Sequence, residues 1–242
     1  MSITVQVLHP CENGPAMRLY AITDRRLLPG THEAGQLSTA EREGLVRLAA
    51  EWTAGGVEYV QLREKDLGLR ELRDLAGAML AAMKDCAGDC GDGNDGPGRQ
   101  PRLLVNAGAA GAAEAVRAVG AAGVHLPGRW HAEQVGTARI SGIVSVGCHS
   151  VGEVAVARAA GADMALLSPV FATESHPDAR PLELEVLAAA CRTAGKMPVY
   201  ALGGVNPANA ASCIEAGATG VAGIRMFLGE GWKALQKEKA PA

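Results

Sequence analysis

Residues 154–167, VAVARAAGADMALL, contain the repeat unit from which the fold can be predicted. An alanine-rich helical segment ends at Gly161, and the short apolar run 164–167 follows after a small-residue turn. Glycine just past a helix can take the left-handed backbone conformation at no steric cost. The same order of helix, glycine turn and apolar run recurs at residues 49–62, 113–126 and 209–224. Such a repeat is typical of βα units, whose strands form a parallel sheet.

Eight apolar runs can be assigned as strands of that sheet. They cover residues 18–23, 59–62, 103–106, 124–126, 143–146, 165–167, 199–202 and 220–222. The runs lack a clean apolar–polar alternation, as expected for strands that are buried on both faces. The eight units cover about 225 residues, and a typical (β/α)8 barrel has roughly 250 residues. The sequence therefore predicts an α/β fold, a single (β/α)8 or TIM barrel, with a doubly wound open sheet as the alternative.

One barrel domain is expected to account for nearly the whole chain. It would cover residues 18–236, with residues 1–17 as an N-terminal tail and residues 237–242 as a C-terminal tail. Residues 87–100, AGDCGDGNDGPGRQ, are rich in glycine, aspartate and asparagine and contain no large apolar residue. This composition predicts a flexible insertion between a helix and a strand, at the end of the barrel away from the active site.

The composition argues against several classes of function. Three Trp, three Tyr and two Phe are too few for a platform that stacks single-stranded nucleic acid. A formal net charge of −3 disfavours electrostatic binding to nucleic acid or to anionic membranes. Six scattered cysteines without a C-x-x-C pair predict reduced thiols rather than a metal or redox site. Without a long apolar run or a secretory leader, a cytoplasmic location is expected, and formation of a homo-oligomer stays open.

The first candidate site is the run QLREK, residues 61–65, where the second predicted strand ends. Alternation places Gln61, Arg63 and Lys65 on one side, so that an amide and two cations would converge at the mouth of the barrel. A phosphate, diphosphate or other anion is the natural ligand, because Arg offers a bidentate fork and Lys a point charge. The alternative is a solvated charge run in which Arg63 and Lys65 pair with Glu64 and Asp66.

Glycine-bearing turns after the seventh and eighth predicted strands form the second candidate site. They contain Gly203 and Gly204, and then Gly223, Ile224 and Arg225. In a barrel, the loops after these two strands frequently bind phosphate through backbone N–H groups. Glycine lets the backbone approach the phosphate closely. Simple tight turns are the alternative.

His149, at the end of the fifth predicted strand, is the third candidate. A histidine at this position can act as a general acid or base near neutral pH. The alternative is a residue at the start of a helix, with Ser150 as the N-cap and Glu153 as its capping-box partner. His125 ends the fourth predicted strand; the direction of its side chain stays open, and a structural role is favoured.

Six motifs, in this order, resemble the thiamine phosphate synthase/TenI superfamily over about residues 19–228. They are LYAITD (19–24), QLREK (61–65), GVHL (123–126), CHS (148–150), PVFAT (169–173) and LGGV (202–205). Together the motifs are specific, although singly only QLREK and PVFAT would be persuasive. The resemblance implies a barrel that acts in thiamine biosynthesis, with a phosphorylated heterocycle, a thiazole phosphate, as its small-molecule partner.

The synthase branch joins a pyrimidine diphosphate to a thiazole phosphate and, as the resemblance implies, holds Mg²⁺ with two carboxylates. Here Asn106 is followed by Ala107 instead of Asp, and Trp130 stands where the second Asp belongs. Mg²⁺ relies on carboxylate oxygens and substrate phosphates, so the two missing acids disfavour synthase chemistry. The synthase motifs also change at residues 173–176, which read TESH, and at residues 223–225, which read GIR.

The TenI-type thiazole tautomerase branch fits better, because it lacks the metal acids, has a Leu-Pro pair like Leu126-Pro127 and has a histidine that matches His149. This resemblance implies aromatisation of a thiazole carboxylate phosphate by transfer of one proton, with His149 as the catalytic acid/base and without a metal or other cofactor. The glycine turns would hold the phosphate, and Arg63 would meet the carboxylate. The expected binding residues are Gln61, Arg63, Lys65, Asn106, Thr173, Ser175, Gly203, Gly204, Gly223, Ile224 and Arg225.

Two alternatives stay open. A synthase with a rebuilt Mg²⁺ site could use Asp66 or Asp178, and a phosphoester-binding or regulatory homologue would have lost catalysis. Gly147 departs from both branches, which usually carry Ser at that position. The sequence leaves open whether Trp130 lines or blocks the pocket.

Overall fold

Eight parallel strands pair in sequence order, and the last one pairs with the first. A computed structural model describes residues 17–88, 102–106, 109–174 and 178–237. Within these residues the strands are β1 (Arg18–Ile22), β2 (Tyr59–Leu62), β3 (Arg102–Asn106), β4 (Gly123–Leu126), β5 (Ile143–Cys148), β6 (Met164–Leu167), β7 (Val199–Ala201) and β8 (Gly220–Gly223). Arg18 of β1 lies opposite Gly220 of β8, which closes the barrel. The predicted α/β TIM barrel is confirmed, and the open-sheet alternative is wrong.

Helices connect the strands on the outside of the barrel. In the described part of the chain they are α1 (Thr39–Ala54), α2 (Leu69–Gly88), α3 (Ala109–Val119), α4 (Ala132–Ala138), α5 (Val151–Ala160), α6 (Glu183–Ala194), α7 (Ala210–Glu215) and α8 (Ala234–Lys237). The glycines that end the four repeat units are Gly56, Gly120, Gly161 and Gly217, with φ angles of +76°, +70°, +81° and +98°. These left-handed turns are the feature that the sequence repeat predicts. Among the described residues, no helix has the length and apolar character needed to cross a membrane.

Two of the predicted domain boundaries shift in the structure. α2 packs Leu75, Met79 and Met83 against the barrel and continues through residues 87 and 88, which the sequence assigned to the insertion. Lys237, predicted as the first residue of the C-terminal tail, ends α8. The tails at 1–16 and 238–242 and the insertion at 89–100 fall outside the described residues, so these parts of the domain assignment stay predictions.

Inside the barrel, the half near the amino-terminal ends of the strands is aromatic, and the half near their carboxyl ends is polar. Tyr20, Tyr59 and Tyr200 pack against one another, with ring centroids 5.6 to 6.1 Å apart. They fill the amino-terminal half together with Leu104, Met164 and Leu166. A larger apolar layer lies between the strands and the helices. Polar side chains, among them Gln61, Asn106 and His125, are buried near the carboxyl ends of the strands.

The segment after β8 folds back onto α1. The Trp52 indole nitrogen donates a hydrogen bond to the Phe227 carbonyl oxygen at 2.9 Å, and the Phe227 ring lies 5.9 Å from that of Trp232. A Cβ atom at Gly55 would overlap the Trp232 ring, so only glycine fits at that position. This packing fixes the end of β8, and with it the turn that follows.

Candidate active site

A cavity of about 620 Å³ opens at the carboxyl ends of the strands. Every predicted site residue that the structure describes lies in its wall: Gln61, Arg63, Lys65, Asn106, His149, Thr173, Gly203, Gly204, Gly223, Ile224 and Arg225. Ser175 lies outside the described residues. The volume falls within the range of roughly 300–1,000 Å³ that is typical of small-molecule sites.

The end of β2 supplies two of the positive charges in the cavity. Arg63 is largely buried, and burial lowers the pKa of its guanidinium even though the Asp24 carboxylate lies 3.6 Å away. The charge of Arg63, followed by partial burial, lowers the pKa of Lys65. Lys65 has no carboxylate within ion-pair distance among the described residues. Two adjacent cations with so little compensation attract an anion.

The carboxylates next to these cations point elsewhere. Glu64 and Asp66 both bind Arg25, whose side chain is buried behind β2: Nη1 lies 2.8 Å from Asp66 Oδ1 and 3.2 Å from Glu64 Oε2. The alternative pairing of Arg63 and Lys65 with Glu64 and Asp66 is therefore not observed. The acids therefore face the loop after β1, while the cations face the cavity.

The backbone around His149 adopts the predicted helix start. Ser150 is the N-cap of α5, and its hydroxyl accepts a hydrogen bond from the Glu153 N–H at 3.1 Å. The Glu153 carboxylate accepts from the His149 N–H at 2.8 Å. The alternative prediction, a helix start with Ser150 as the N-cap, therefore describes the backbone correctly. This backbone structure does not use the imidazole ring of His149.

The His149 ring is anchored at one nitrogen and faces the cavity with the other. Nδ1 lies 2.7 Å from the Ser168 carbonyl oxygen. A carbonyl oxygen only accepts, so Nδ1 carries the hydrogen, and in the neutral ring Nε2 holds the lone pair. Nε2 lies beside Gly128, where a Cβ atom would come within 2.6 Å of it. The glycine at residue 128 thus leaves room for His149 Nε2.

His125 also points into the barrel. Its neighbours Val124 and Leu126 belong to the outer apolar layer, so alternation turns the imidazole inward. Nδ1 lies 2.9 Å from Ser145 Oγ. Burial, with a smaller contribution from the Arg63 charge, lowers the pKa of His125 to about 3, and the ring is neutral at physiological pH. The sequence left this direction open because both faces of a barrel strand are buried.

The two glycine turns, after β7 and β8, form another part of the cavity wall. Gly203 and Gly204 have φ angles of +89° and +65°. A Cβ atom at Gly203 would lie 2.8 Å from Pro169 Cα, and one at Gly204 would overlap the Ala172 carbonyl. The N–H groups of both glycines make no hydrogen bond to another described residue. They are therefore free to bind an anion such as a phosphate.

The turn after β8 completes this side of the cavity. It leads from Gly223, the last residue of β8, through Ile224 into a short 3-10 helix, Arg225–Phe227. The Arg225 guanidinium lies 3.4 Å from the carboxylate of Glu174, whose side chain is 82% exposed. Glu174 comes from the loop after β6, so this ion pair links two loops at the rim.

The residues at the two expected carboxylate positions do not fit a Mg²⁺ ion. Residue 107 is Ala. The Trp130 indole nitrogen donates to the Gly147 carbonyl at 2.7 Å, and its ring packs against the outer apolar layer instead of lining or blocking the cavity. Among the described residues, no group of three or more His, Cys, Asp or Glu side chains could hold a metal. Asp66 is bound by Arg25, and Asp178 is absent from the cavity wall.

Part of the cavity wall could not be predicted from residue chemistry. It consists of Ile22, His125, Pro127, Gly128, Gly147, Leu166, Ser168, Pro169, Ala172, Glu174, Ala179, Leu202, Val205, Asn206, Ala222 and Met226. These residues lie near the carboxyl end of a strand or in the loop that follows it, and that position is the signal by which they could have been found. Most of them are apolar or glycine, which suggests no chemistry when the sequence is considered alone.

Comparison with known proteins agrees with this fold. A family model described as thiamine monophosphate synthase matches residues 19–227. The thiamine-phosphate synthase of Methanoculleus marisnigri is 40% identical over 220 residues, which cover 88% of each chain. That of Roseiflexus sp. is 34% identical over 217 residues, 87% of this chain and 78% of the relative. A solved thiamine phosphate pyrophosphorylase from Pyrococcus furiosus superposes with a TM-score of 0.68 at 25% identity, covering 93% of this chain and 94% of that one.

The fold and the cavity define a TIM-barrel protein with cationic side chains in a cavity at the carboxyl ends of its strands. The family model extends over most of the chain, and relatives above 30% identity cover 87% and 88% of it. The chain therefore belongs to the thiamine phosphate synthase/TenI family, which acts in thiamine biosynthesis. The family resemblance noted from the sequence motifs is confirmed.

Proposed function

We propose that this chain is a metal-independent tautomerase that aromatises a thiazole carboxylate phosphate, with His149 as the acid/base. The orientation of the His149 ring carries the proposal. Nδ1 is held by the Ser168 carbonyl, and Nε2 presents its lone pair to the cavity beside Gly128. A tautomerisation moves one proton from one atom of the substrate to another. A single neutral imidazole can accept that proton and return it, so the ring ends as it began.

The distribution of charge in the cavity supports a substrate with two anionic groups. Arg63 and Lys65 lie at the end of β2 and would meet the carboxylate. The N–H groups of Gly203 and Gly204, with the turn that starts at Gly223, would hold the phosphate. An anion held at each end fixes the ring between them, which brings the reacting carbon atoms to His149 Nε2.

The residues at the former metal positions favour the tautomerase over the synthase. A departing diphosphate needs positive charge, which Mg²⁺ on two carboxylates supplies. In this chain the two positions are held by Ala107 and by Trp130, which cannot ligate a cation. An internal proton transfer has no leaving group and requires no such charge.

A thiamine phosphate synthase is the second candidate, and two observations favour it. The relatives at 34% and 40% identity carry that name, and Gln61, Arg63 and Lys65 lie together at the cavity. In that reaction the cations would hold the diphosphate of the pyrimidine substrate. A third candidate, a phosphoester-binding homologue without catalysis, would use the same contacts and leave His149 idle.

One experiment distinguishes the three candidates. The purified protein is incubated with the thiazole carboxylate tautomer, and separately with the two synthase substrates, each with Mg²⁺ and with a chelator. We expect the absorbance of the aromatic thiazole to appear at the same rate in both conditions, and no thiamine phosphate to form. Mg²⁺-dependent thiamine phosphate would establish the synthase instead. Tight binding of the thiazole phosphate without turnover would identify the non-catalytic homologue.

A further inference from the structure

Two carbonyl groups of the turn after β7 are held by the loop after β6. The Leu202 carbonyl accepts from the Val170 N–H at 2.9 Å, and the Gly203 carbonyl accepts from the Phe171 N–H at 3.0 Å. In a trans peptide group the C=O and N–H bonds point in opposite directions. The N–H groups of Gly203 and Gly204 therefore point away from the loop after β6, to the side of β7 on which β8 lies.

The side chain of Asn209 holds the next carbonyl of the same turn. Asn209 Nδ2 donates to the Gly204 carbonyl at 3.1 Å, and Asn209 Oδ1 accepts from the Asn206 N–H at 2.8 Å. One end of the amide faces an acceptor and the other end faces a donor, so only one orientation of the amide satisfies both contacts. Asn206 Nδ2 also lies 3.5 Å from the Gly204 carbonyl, which is a longer and weaker contact. Asn209 thus ties the two ends of the turn together.

The hydrogen bond to the Gly204 carbonyl also sets the direction of the Val205 N–H. This N–H belongs to the same peptide group as that carbonyl, so it points away from Asn209. It makes no hydrogen bond to another residue in the described part of the chain. The Val205 side chain belongs to the outer apolar layer, so the part of Val205 that lines the cavity is its backbone. With the two glycines, the turn offers three successive N–H groups.

We propose that Asn209 is a positioning residue for the phosphate end of the substrate, a ligand whose identity rests on the proposed function. Successive backbone N–H groups in a turn form a concave site for an anion. By holding the Gly204 carbonyl and the Asn206 N–H, Asn209 keeps the N–H groups of residues 203–205 directed at one phosphate, with Val205 as the third donor. Asn209 itself is absent from the cavity wall, so it acts on the ligand through the backbone.

The loop after β6 connects this turn to His149. Its Ser168 carbonyl accepts from His149 Nδ1 at 2.7 Å, and its residues 170 and 171 donate to the turn. One short segment therefore sets the position of the imidazole relative to the three N–H groups. The hydrogen bonds of the Asn209 side chain go to residues 204 and 206 instead. Removing this side chain should consequently disturb phosphate binding and leave the imidazole in place.

An NMR titration with inorganic phosphate tests the proposal without any assay of activity. In ¹⁵N-labelled protein, the backbone N–H proton signals of residues 203–205 should move downfield as these groups donate to phosphate. The N–H signals of Val170 and Phe171 should move little, because these groups already donate to carbonyl oxygens. In Asn209→Ala, the dissociation constant obtained from the same titration should rise about tenfold, roughly the effect of losing one hydrogen bond to a charged group.

Gln134→Ala is the matched control, because it removes a side-chain amide of the same kind at another helix start. Gln134 Oε1 accepts from the His131 N–H at 2.7 Å, and Gln134 is absent from the cavity wall. This variant should leave the dissociation constant of phosphate unchanged. An unmodified protein in which phosphate leaves the signals of residues 203–205 in place would overturn the proposal, and so would a folded Asn209→Ala variant with the wild-type constant. If Asn209→Ala does not fold, the signals of the unmodified protein still decide.

A kinetic measurement connects Asn209 to the substrate. With the thiazole carboxylate phosphate, Asn209→Ala should raise KM about tenfold and change kcat by less than about twofold, because it weakens binding of the substrate and of the transition state alike. Gln134→Ala should change neither constant. A fall in kcat at unchanged KM would contradict a role in holding the phosphate. If the unmodified protein shows no turnover at all, the proposed function fails, while the phosphate titration still decides the role of Asn209.

Discussion

Arg63 and Lys65 show how a short alternation in sequence becomes a binding surface. Both project from the end of β2 into the cavity, while Glu64 and Asp66 turn away to Arg25. The Arg63 charge lowers the pKa of Lys65, which means that the two cations repel each other. On the proposed function, an anionic group of the substrate would relieve this repulsion.

Replacing Arg63 by Gln should therefore weaken binding of the substrate carboxylate. A hydrogen bond to a charged group contributes about 1.5–3 kcal/mol, so KM should rise roughly tenfold to hundredfold. Steady-state kinetics measure this directly. Arg117→Gln, an exposed residue of α3 far from the cavity, serves as the control and should leave KM unchanged.

A substrate analogue without the carboxylate makes this test specific. Its affinity should differ little between the unmodified protein and Arg63→Gln. An equal loss of affinity for both compounds would show that Arg63 meets the phosphate or supports the fold, and not the carboxylate.

At the level of single residues, the sequence predicted which side chains lie at the cavity better than it predicted the contacts that those side chains make. The alternation in QLREK was enough to place Gln61, Arg63 and Lys65 on one side. Trp130 could not be placed in advance, because its orientation depends on a hydrogen bond to a carbonyl 17 residues away. The Tyr20–Gln61 contact joins two strands across 41 residues, and no local pattern encodes it.

Among the structural elements, the turn after β7 requires glycine at two successive positions. Gly203 has a φ angle of +89°, and a side chain there would press on Pro169. Gly203→Ala should lower the free energy of unfolding by about 1–3 kcal/mol, the usual cost of a left-handed residue other than glycine. It should also weaken phosphate binding, because the backbone N–H groups shift. Urea denaturation and calorimetric titration with the thiazole phosphate measure the two effects.

Gly136 provides the matched control for this substitution. It lies within α4, and a Cβ atom there would meet no heavy atom within 4 Å. Gly136→Ala should leave phosphate affinity unchanged and stabilise the protein slightly, because alanine favours the helix. If Gly203→Ala had the same free energy of unfolding and the same phosphate affinity as Gly136→Ala, the turn after β7 would not bind the phosphate.

The sequence predicted which elements exist better than where they end. All eight strands overlap their predicted runs, because buried apolar segments and glycine turns are local features. β5 extends to Cys148, two residues beyond its prediction, and Thr23 lies beyond the end of β1 although its N–H still donates to Gln61 at 3.0 Å. Strand ends depend on hydrogen bonds to the neighbouring strand, and these are not visible in a single segment.

At the scale of the whole molecule, Arg25 joins the loop after β1 to the loop after β2. Its guanidinium donates to both oxygens of Asp66, at 2.8 and 3.0 Å, and the Gly35 N–H donates to the same carboxylate at 2.9 Å. These bonds hold the residues that flank Arg63 and Lys65. By joining the two loops, these hydrogen bonds stabilise the fold and also maintain the shape of the cavity.

Asp66→Asn should make the stability of the protein less dependent on pH. Hydrogen bonds from Arg25 and then Gly35 lower the pKa of Asp66 below its usual range. A lowered carboxyl pKa adds stability above the unfolded value of about 4, and this stability is lost as the pH falls toward the folded value. The variant should lose about 1–2 kcal/mol at pH 7, a low figure because a third of the side chain is exposed.

Urea denaturation at pH 7 and at pH 3 checks this prediction. The difference between the unmodified protein and Asp66→Asn should shrink at the lower pH. Asp74→Asn, which removes an exposed carboxylate of α2, should change stability by less than about 0.5 kcal/mol. If the difference in free energy of unfolding between the two proteins is the same at both pH values, Asp66 stabilises the fold through its shape and not through its charge.

The most direct test of the account is the rate at which His149→Asn converts the thiazole carboxylate tautomer in the presence of a chelator. The account predicts that the unmodified protein turns over at full rate without metal. It predicts that the variant loses about 10²- to 10⁴-fold in kcat, the usual contribution of a positioned acid/base, while still binding the thiazole phosphate product with nearly unchanged affinity. A variant that works at the wild-type rate, or an unmodified protein that stops when the chelator is added, would contradict it.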